Sequence, residues 1–388
     1  MLAIKNGKLI TITDGIIENG TVLIDDGKIV AVGKDINIPD DADIIDATEK
    51  WITPGFIDAH SHISVESMPH ALGELSDLNE TTSPITPQIR AIDALYPEDI
   101  AIHTARRSGI TASHTLPGSA NICGGTGITF KHKIGKTVYE LVIPNSEQMK
   151  FALGENPRNV YGSKNTMPKT RMGNAAVLRE LLYNAKQYSD ALLEYELDPT
   201  KTKPKFDIKL NALVPVIRRQ MKARIHCHRS DDIVTAIRIA EEFDLDYALE
   251  HVTEGHIIKE FLAEKNPICT LGPLYGGPSK SELRNRSDKN AAILAQEGIT
   301  ICLSQDAAVG TSLLPMNIGR AIAYGLSEEI AFKAVTINPA KLLGIDKRVG
   351  SLEVGKDADI AIWNGHPFSS LTRCEISIID GIVYNNIE

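Results

Sequence analysis

Apolar and polar positions alternate in short runs at both ends of the chain and in longer strand-plus-helix units between them. Residues 3–12, 21–24 and 28–32 are rich in Ile and Val and read as short strands. Asp14-Gly15, Asn19-Gly20 and Asp26-Gly27 punctuate this stretch, and such pairs between apolar runs mark hairpins. The carboxyl-terminal stretch has the same character: residues 350–355, then 358–363, then 376–384 interrupted by Asp380-Gly381. Neither terminal piece can bury a sheet alone. The pattern therefore predicts that residues 1–52 and 347–388 pair into one small composite β-sandwich domain.

Between them, residues 53–346 alternate apolar strands with helices. A strand at 225–228 precedes a helix over 231–243, whose Ile233, Ala236, Ile237 and Ala240 share one face. Strands at 247–252, 267–271 and 299–304 precede helices near 257–264, 288–297 and 328–343. Repeated βα units predict an α/β fold, either a (β/α)8 TIM-like barrel or a doubly wound sheet. The barrel is favoured because the candidate ligands below end several different strands, and a barrel mouth brings strand ends to one centre. An insertion over about 155–205 exceeds one crossover. It holds a predicted helix at 174–196, with Val177, Leu181, Ala185, Tyr188, Leu192 and Tyr195 along one side, and a polar, proline-punctuated turn at 198–205. Such insertions serve as lids or substrate walls, or simply as packing.

Composition narrows the classes. The 388 residues are 43% hydrophobic and 23% charged, as in ordinary soluble proteins. Net charge is -9 with a pI of about 5.7, and no Lys/Arg block stands out, so nucleic acid is not an expected partner. Cys123, Cys227, Cys269, Cys302 and Cys374 are scattered without a Cys-x-x-Cys, which suggests neither a zinc ribbon nor a disulfide framework. Reduced thiols in a cytoplasmic protein are the simplest expectation. Residues 1–10 do not read as a signal peptide, and no stretch approaches the ~18 apolar residues of a membrane span. A small-molecule substrate is the expected partner; a homo-oligomer is compatible with the chain but not legible in it.

The chemistry centres on Pro54-Gly55-Phe56-Ile57-Asp58-Ala59-His60-Ser61-His62. Residues two apart on a strand face the same way, so His60 and His62 deliver two imidazoles to one point. Neutral imidazole is the commonest metal ligand. Arg224-Ile225-His226-Cys227-His228 ends another strand, with His226 and His228 on one side, and Leu249-Glu250-His251 ends the next. Thr300, Cys302, Ser304 and Asp306 share a face, with Asp306 last. Four strand ends with nitrogen and oxygen donors match a divalent-metal site. Glu155, Arg158, Tyr161 and Arg171 place polar groups after the fourth strand, where an Arg fork suits a substrate carboxylate. His114 and the run Asn121-Ile122-Cys123-Gly124-Gly125-Thr126-Gly127 follow the second strand; the run is not a nucleotide-binding glycine loop. His70, His103, His132, His256 and His366 fit no strand-end pattern and are expected on the surface or in packing.

These motifs resemble the amidohydrolase superfamily. The His60 segment is similar to its first-strand signature. Asn338-Pro339-Ala340-Lys341-Leu342-Leu343-Gly344 and the run from Gly350 to Asp359 are similar to its usual ending. The resemblance spans essentially the whole chain, and the His226, His251 and Asp306 set is most similar to imidazolonepropionase-like members, a branch that includes Xaa-Pro dipeptidase-like proteins. It implies one or two divalent ions, zinc first among several first-row metals that share such ligands. It implies that His60 and His62 hold the more buried ion, and that His226 and His251 hold the second or help to hold the only one. Asp306 would ligate and carry a proton to the leaving nitrogen. In binuclear members a carboxylated lysine ending the fourth strand bridges the ions, which points to Lys150, with Lys131 as a rival. At one position the chain departs from the imidazolonepropionase pattern: Arg229 stands where that enzyme and the related deaminases carry a glutamate. His228, typical of the dipeptidase-like branch, would hold a substrate carbonyl or a second metal. The implied activity is hydrolysis of a C–N bond in a dipeptide, an N-acyl amino acid or a cyclic amide. Deamination of a heterocycle is disfavoured by Arg229, and an inactive barrel serving in assembly is disfavoured by the filled ligand positions.

Overall fold

The computed structural model describes residues 1–68, 76–274, 277–307 and 310–387. Five strands come first: β1 (Leu2–Ile10), β2 (Ile16–Asp25), β3 (Lys28–Gly33), β4 (Asp43–Asp46) and β5 (Trp51–Pro54). Next are β6 (Phe56–Ser61), β7 (Ile110–Thr115), β8 (Cys123–Lys131), β9 (Gln148–Ala152), β10 (Ala223–Cys227), β11 (Tyr247–His251), β12 (Ile268–Leu271) and β13 (Ile301–Leu303). The last are β14 (Ile360–Trp363), β15 (Cys374–Ile379) and β16 (Ile382–Asn385).

Strands β6 to β13 form one sheet in sequence order, curled into a nearly closed barrel. Every residue of β6, β7, β9 and β10 is buried, as expected for strands covered on both faces. The order is not a strict (β/α)8 repeat, because β8 runs antiparallel to both β7 and β9. Only residues 116–122 separate β7 from β8, too few for the dozen or more of a parallel crossover, so the chain must turn back. The glycine run lies at this return. A Cβ on Gly125 would sit 2.3 Å from the Ile89 carbonyl oxygen, so the run permits close backbone approach.

The seam between β13 and β6 is bridged by a third segment. Ile57 N donates to Val335 O (2.8 Å) and Leu303 N donates to Ala334 O (2.9 Å). The single helix expected over 328–343 is accordingly split into Glu328–Lys333 and Ile337–Leu342. Pro339 explains the break: it has no N–H to give the Val335 carbonyl, which is left to accept from the barrel strand.

The terminal strands form a second sheet in the order β16-β15-β14-β5-β1-β2-β3, with β4 also paired to β1. The antiparallel β5–β14 ladder joins the two ends of the chain. This is one continuous sheet rather than the two facing sheets of a sandwich. It curls on itself, since Ile4, Val22, Ile24 and Ile29 share one apolar core with Ile360, Ile362 and Ile378. Within the insertion, helices span Glu155–Ser163, Arg171–Leu197 and Ile208–Ile217. The second starts where Thr170 Oγ1 accepts Gly173 N–H as an N-cap. No helix among the described residues is long and apolar enough to cross a membrane.

Candidate metal centre

His60 and His62 leave the end of β6, and the atoms around their rings fix which nitrogen is available. His60 Nδ1 lies 2.6 Å from Glu250 Oε2, His62 Nδ1 lies 2.7 Å from Leu116 O, and His251 Nδ1 lies 2.6 Å from Gly272 O. Carboxylate and carbonyl oxygens only accept, so in each neutral ring Nδ1 carries the hydrogen and Nε2 presents a lone pair. The lone pairs of His60 and His62 converge on a carboxylate: Asp306 Oδ1 is 3.1 Å from His60 Nε2 and 3.2 Å from His62 Nε2. Acceptors gathered around an acceptor are the arrangement a cation resolves. The ligand atoms of His60, His251 and Asp306 lie within 4.8 Å of one another, and so do those of His226, His228 and His251. Buried Nε2 atoms of His226, His228 and His251 have no hydrogen-bond partner among the described residues. This donor set of imidazole and carboxylate fits a divalent ion.

The backbone is held in an uncommon shape to achieve this. His251 (φ +71°), Val252 (φ +45°) and Asp306 (φ +57°) are left-handed non-glycine residues. Such residues cost of order 1–3 kcal/mol each and persist where the surroundings dictate them. The turn at His251 breaks strand alternation. Glu250 and His251, adjacent in sequence, both reach His60: the carboxylate at 2.6 Å, the imidazole with ring centroids 4.9 Å apart.

Burial and local charge set the protonation states. Burial pushes the His226 and His228 pKa values well below the usual imidazole range, and that of His251 down to about 4, which keeps all three available as neutral donors. Lys150, buried with Nζ 3.1 Å from His60 Nε2, is pushed down to about 8 by burial, against the pull of Asp306 and Glu250. Glu250 is held down by Arg224 and His60 despite burial. Arg224 is the anchor beneath: its guanidinium contacts Glu250 and donates to Gln148 Oε1 (2.7 Å) and Ala59 O (2.9 Å).

The residues expected to touch substrate are placed differently. Arg171 donates from Nε to Asp232 Oδ2 (3.0 Å), and Tyr161 Oη is engaged by Asn121 Oδ1 (2.5 Å) and Ser83 O (2.7 Å). Glu155 is buried at a helix start, with its N–H donating to Glu282 Oε2 (2.9 Å). His114 is buried on β7, with Nδ1 2.9 Å from Thr129 Oγ1. The rival Lys131 is far from this chemistry: it contacts Asp357, Asp359 and Asp380. Arg229 folds back onto Asp231. His132 is buried in packing, His366 stands against Glu328 at 3.2 Å, and His70 lies outside the described residues. A cleft of about 460 Å³ opens over the cluster, lined by His62, His226, Asp306, Asn156, Asn159 and Lys280 among others.

Glu282, Lys280, Glu250, Arg224 and Asp58 were not singled out from sequence. Arg224 had a signal, since it shares the His226 and His228 face of β10. Asp58 had one too: it lies two residues before His60, and its Oδ1 accepts the His60 N–H at 3.2 Å. Glu282, in a short turn of polar residues, had none.

The model of the amidohydrolase family matches residues 51–386. A crystal structure of an amidohydrolase from Thermotoga maritima MSB8 superposes with a TM-score of 0.94 at 38% identity, covering 99% of this chain and 100% of that one. An amidohydrolase named tasK from Hapsidospora irregularis is 30% identical over 90% of this chain; the chain spans only 38% of that relative. An imidazolonepropionase from Brevibacillus brevis is 25% identical, covering 95% of this chain and 90% of its own length.

Proposed function

The chain belongs to the amidohydrolase family, and on that premise we propose that it is a metal-dependent hydrolase of a C–N bond in a small amide. The observation that carries this reading is the committed Nδ1 atoms of His60 and His62, which leave their Nε2 lone pairs aimed with Asp306 at one region, beside His251. His60, His62 and Asp306 would hold one ion, zinc being the natural candidate, and His226 and His251 a second, with a carboxylated Lys150 between them. A divalent ion so held polarises a carbonyl and acidifies water toward neutral pH.

The chain's own groups then have defined tasks. Asp306, partly exposed to the cleft, takes a proton from the attacking water and returns it to the leaving nitrogen. His228 stands beside His226 and His251, where it orients the substrate carbonyl or joins the ligands of the second ion. Glu250 and Arg224 fix the His60 ring. Lys150 accepts carboxylation only as a neutral amine, a form that its buried setting favours. The cleft falls within the few hundred Å³ of small-ligand sites. Its Lys280, Asn156 and Asn159 suit the carboxylate and amide groups of a dipeptide or N-acyl amino acid. An acid facing a heterocycle amine, which deamination needs, is absent at Arg229, whose guanidinium pairs with Asp231.

The test is metal content by mass spectrometry, followed by a screen of dipeptides, N-acyl amino acids, cyclic amides and aminated heterocycles. Bound divalent ion and amide hydrolysis are expected. A preparation without metal and without activity after metal addition, or ammonia release from heterocycles alone, would overturn the reading. Lys150→Ala should lower the metal content from two ions to one or none; two retained ions would remove Lys150 as the bridge.

A further inference from the structure

Glu282 is a fully buried carboxylate whose two oxygens do different things. Oε2 is anchored by the Glu155 N–H at 2.9 Å, where a helix begins. The fit there is close: a Cβ on Gly154 would lie 2.6 Å from that oxygen, and Gly154 has φ +91°, so glycine serves both the contact and the backbone. Oε1 instead points at the imidazoles, 3.6 Å from His228 Nε2 and 3.9 Å from His226 Nε2. Both distances exceed a hydrogen bond. They do suit two ligands of one ion: metal bonds of about 2.1 Å at a tetrahedral angle put the ligand atoms about 3.4 Å apart. His228 and His226 Nε2 have no hydrogen-bond partner among the described residues, and His228 Nδ1 is already met by Thr253 Oγ1 at 2.7 Å. The charge facing Glu282 comes from Lys280, with Nζ 2.8 Å from Oε1. Lys280 lines the open cleft and is about one quarter exposed (24%), so its ammonium has somewhere to go.

We propose that the second cation is held by a four-ligand set, His226, His228 and His251 through Nε2 and Glu282 through Oε1, and that Lys280 is the displaceable positive charge of this site. The inference deepens the hydrolase reading, resting on it for the presence of a cation at His226 and His251. It gives the second ion a carboxylate of its own, beside the bridge proposed for Lys150. It also makes Lys280 a competitor for the ion rather than a ligand.

The experiment strips the full-length protein with a chelator and titrates it with zinc or cobalt(II) against a chromophoric competitor. Wild type is expected to bind two ions. Glu282→Gln should bind the second at least about tenfold more weakly, the range seen when metal-site partners are removed, with the first unchanged. Lys280→Met should bind the second at least threefold more tightly. Unchanged second-ion affinity in both variants, or weaker binding by Lys280→Met, overturns the proposal. Should Glu282→Gln fail to fold, the sign of the Lys280→Met effect decides alone. Wild type binding a single ion overturns this inference only; wild type binding none overturns the hydrolase reading as well.

Discussion

Two buried lysines, one under the barrel mouth and one at its floor, show how the same side chain is put to opposite uses. Both are nearly inaccessible to solvent, Lys150 at 0% and Lys131 at 1%. Burial pushes both amines down, yet only Lys150 falls, to about 8. Lys131 is raised, because Asp359, Asp380 and Asp357 more than offset burial. Lys150 instead faces an imidazole, with more distant help from Asp306 and Glu250. Direct carboxylate contact decides whether a buried lysine is a permanent cation or a group able to become a nucleophile. At the floor, Lys28, Lys133 and Arg348 join the same aspartates, tying the barrel to the terminal sheet. At the mouth, imidazole nitrogens are left without hydrogen-bond partners among the described residues.

The largest effect is expected from breaking the mouth. His60→Ala should lower kcat/KM by about 10³-fold or more, equivalent to several kcal/mol of lost metal assistance, and should release metal while the far-UV spectrum stays that of wild type. Metal-free turnover at the wild-type rate would break the contrast between the two regions. At the floor, Lys131→Met should leave three aspartates short of their central cation, at a cost of about 3–5 kcal/mol in urea unfolding. A loss below about 1 kcal/mol would show that the cage is not structural.

The third prediction concerns acid stability near the floor. Burial depresses His132 from its usual 6.5 to about 4, so between those pH values the unfolded chain binds a proton that the folded chain refuses. The stabilisation is complete above pH 6.5 and is lost as pH falls toward 4, about 3 kcal/mol in all. His132→Asn keeps a donor for the Ile110 carbonyl and should lose less stability than wild type between pH 7 and pH 4.5. Parallel pH curves would contradict this. The smallest effect is expected at Glu250→Gln, which weakens the hold on the His60 ring; metal affinity should fall about 10–100-fold. An unaltered affinity would leave Glu250 a purely structural partner of Arg224.

The legible part of the site sits where local periodicity and chemistry coincide. His60, His62, His226, His251 and Asp306 each end or follow a strand; period-two alternation pairs His60 with His62, and left-handed turns bring in His251 and Asp306. Alternation also misleads. Lys131 and Lys150 both lie at or near the end of a strand, but β8 runs backwards, so the end of that strand reaches the floor. Reversal is a property of how strands pair, not of their composition. The helix expected over 328–343 contained its own warning in Pro339, but the barrel amide that claims the freed Val335 carbonyl, that of Ile57, comes from far away in sequence.

Taken by itself, the chain determined the alternation of strands and helices, the pairing of its two ends, and the imidazoles and carboxylate that meet at the mouth, because these follow from repeats of two or 3.6 residues and from side-chain type. Tertiary structure alone decided the direction of β8, the placement of Lys131 among aspartates, and the approach of Glu282 and Lys280 to the histidines. Those outcomes depend on groups tens to hundreds of residues apart in sequence being buried together, and burial is what converts an ordinary loop carboxylate or surface-type lysine into a charge that must find its partner.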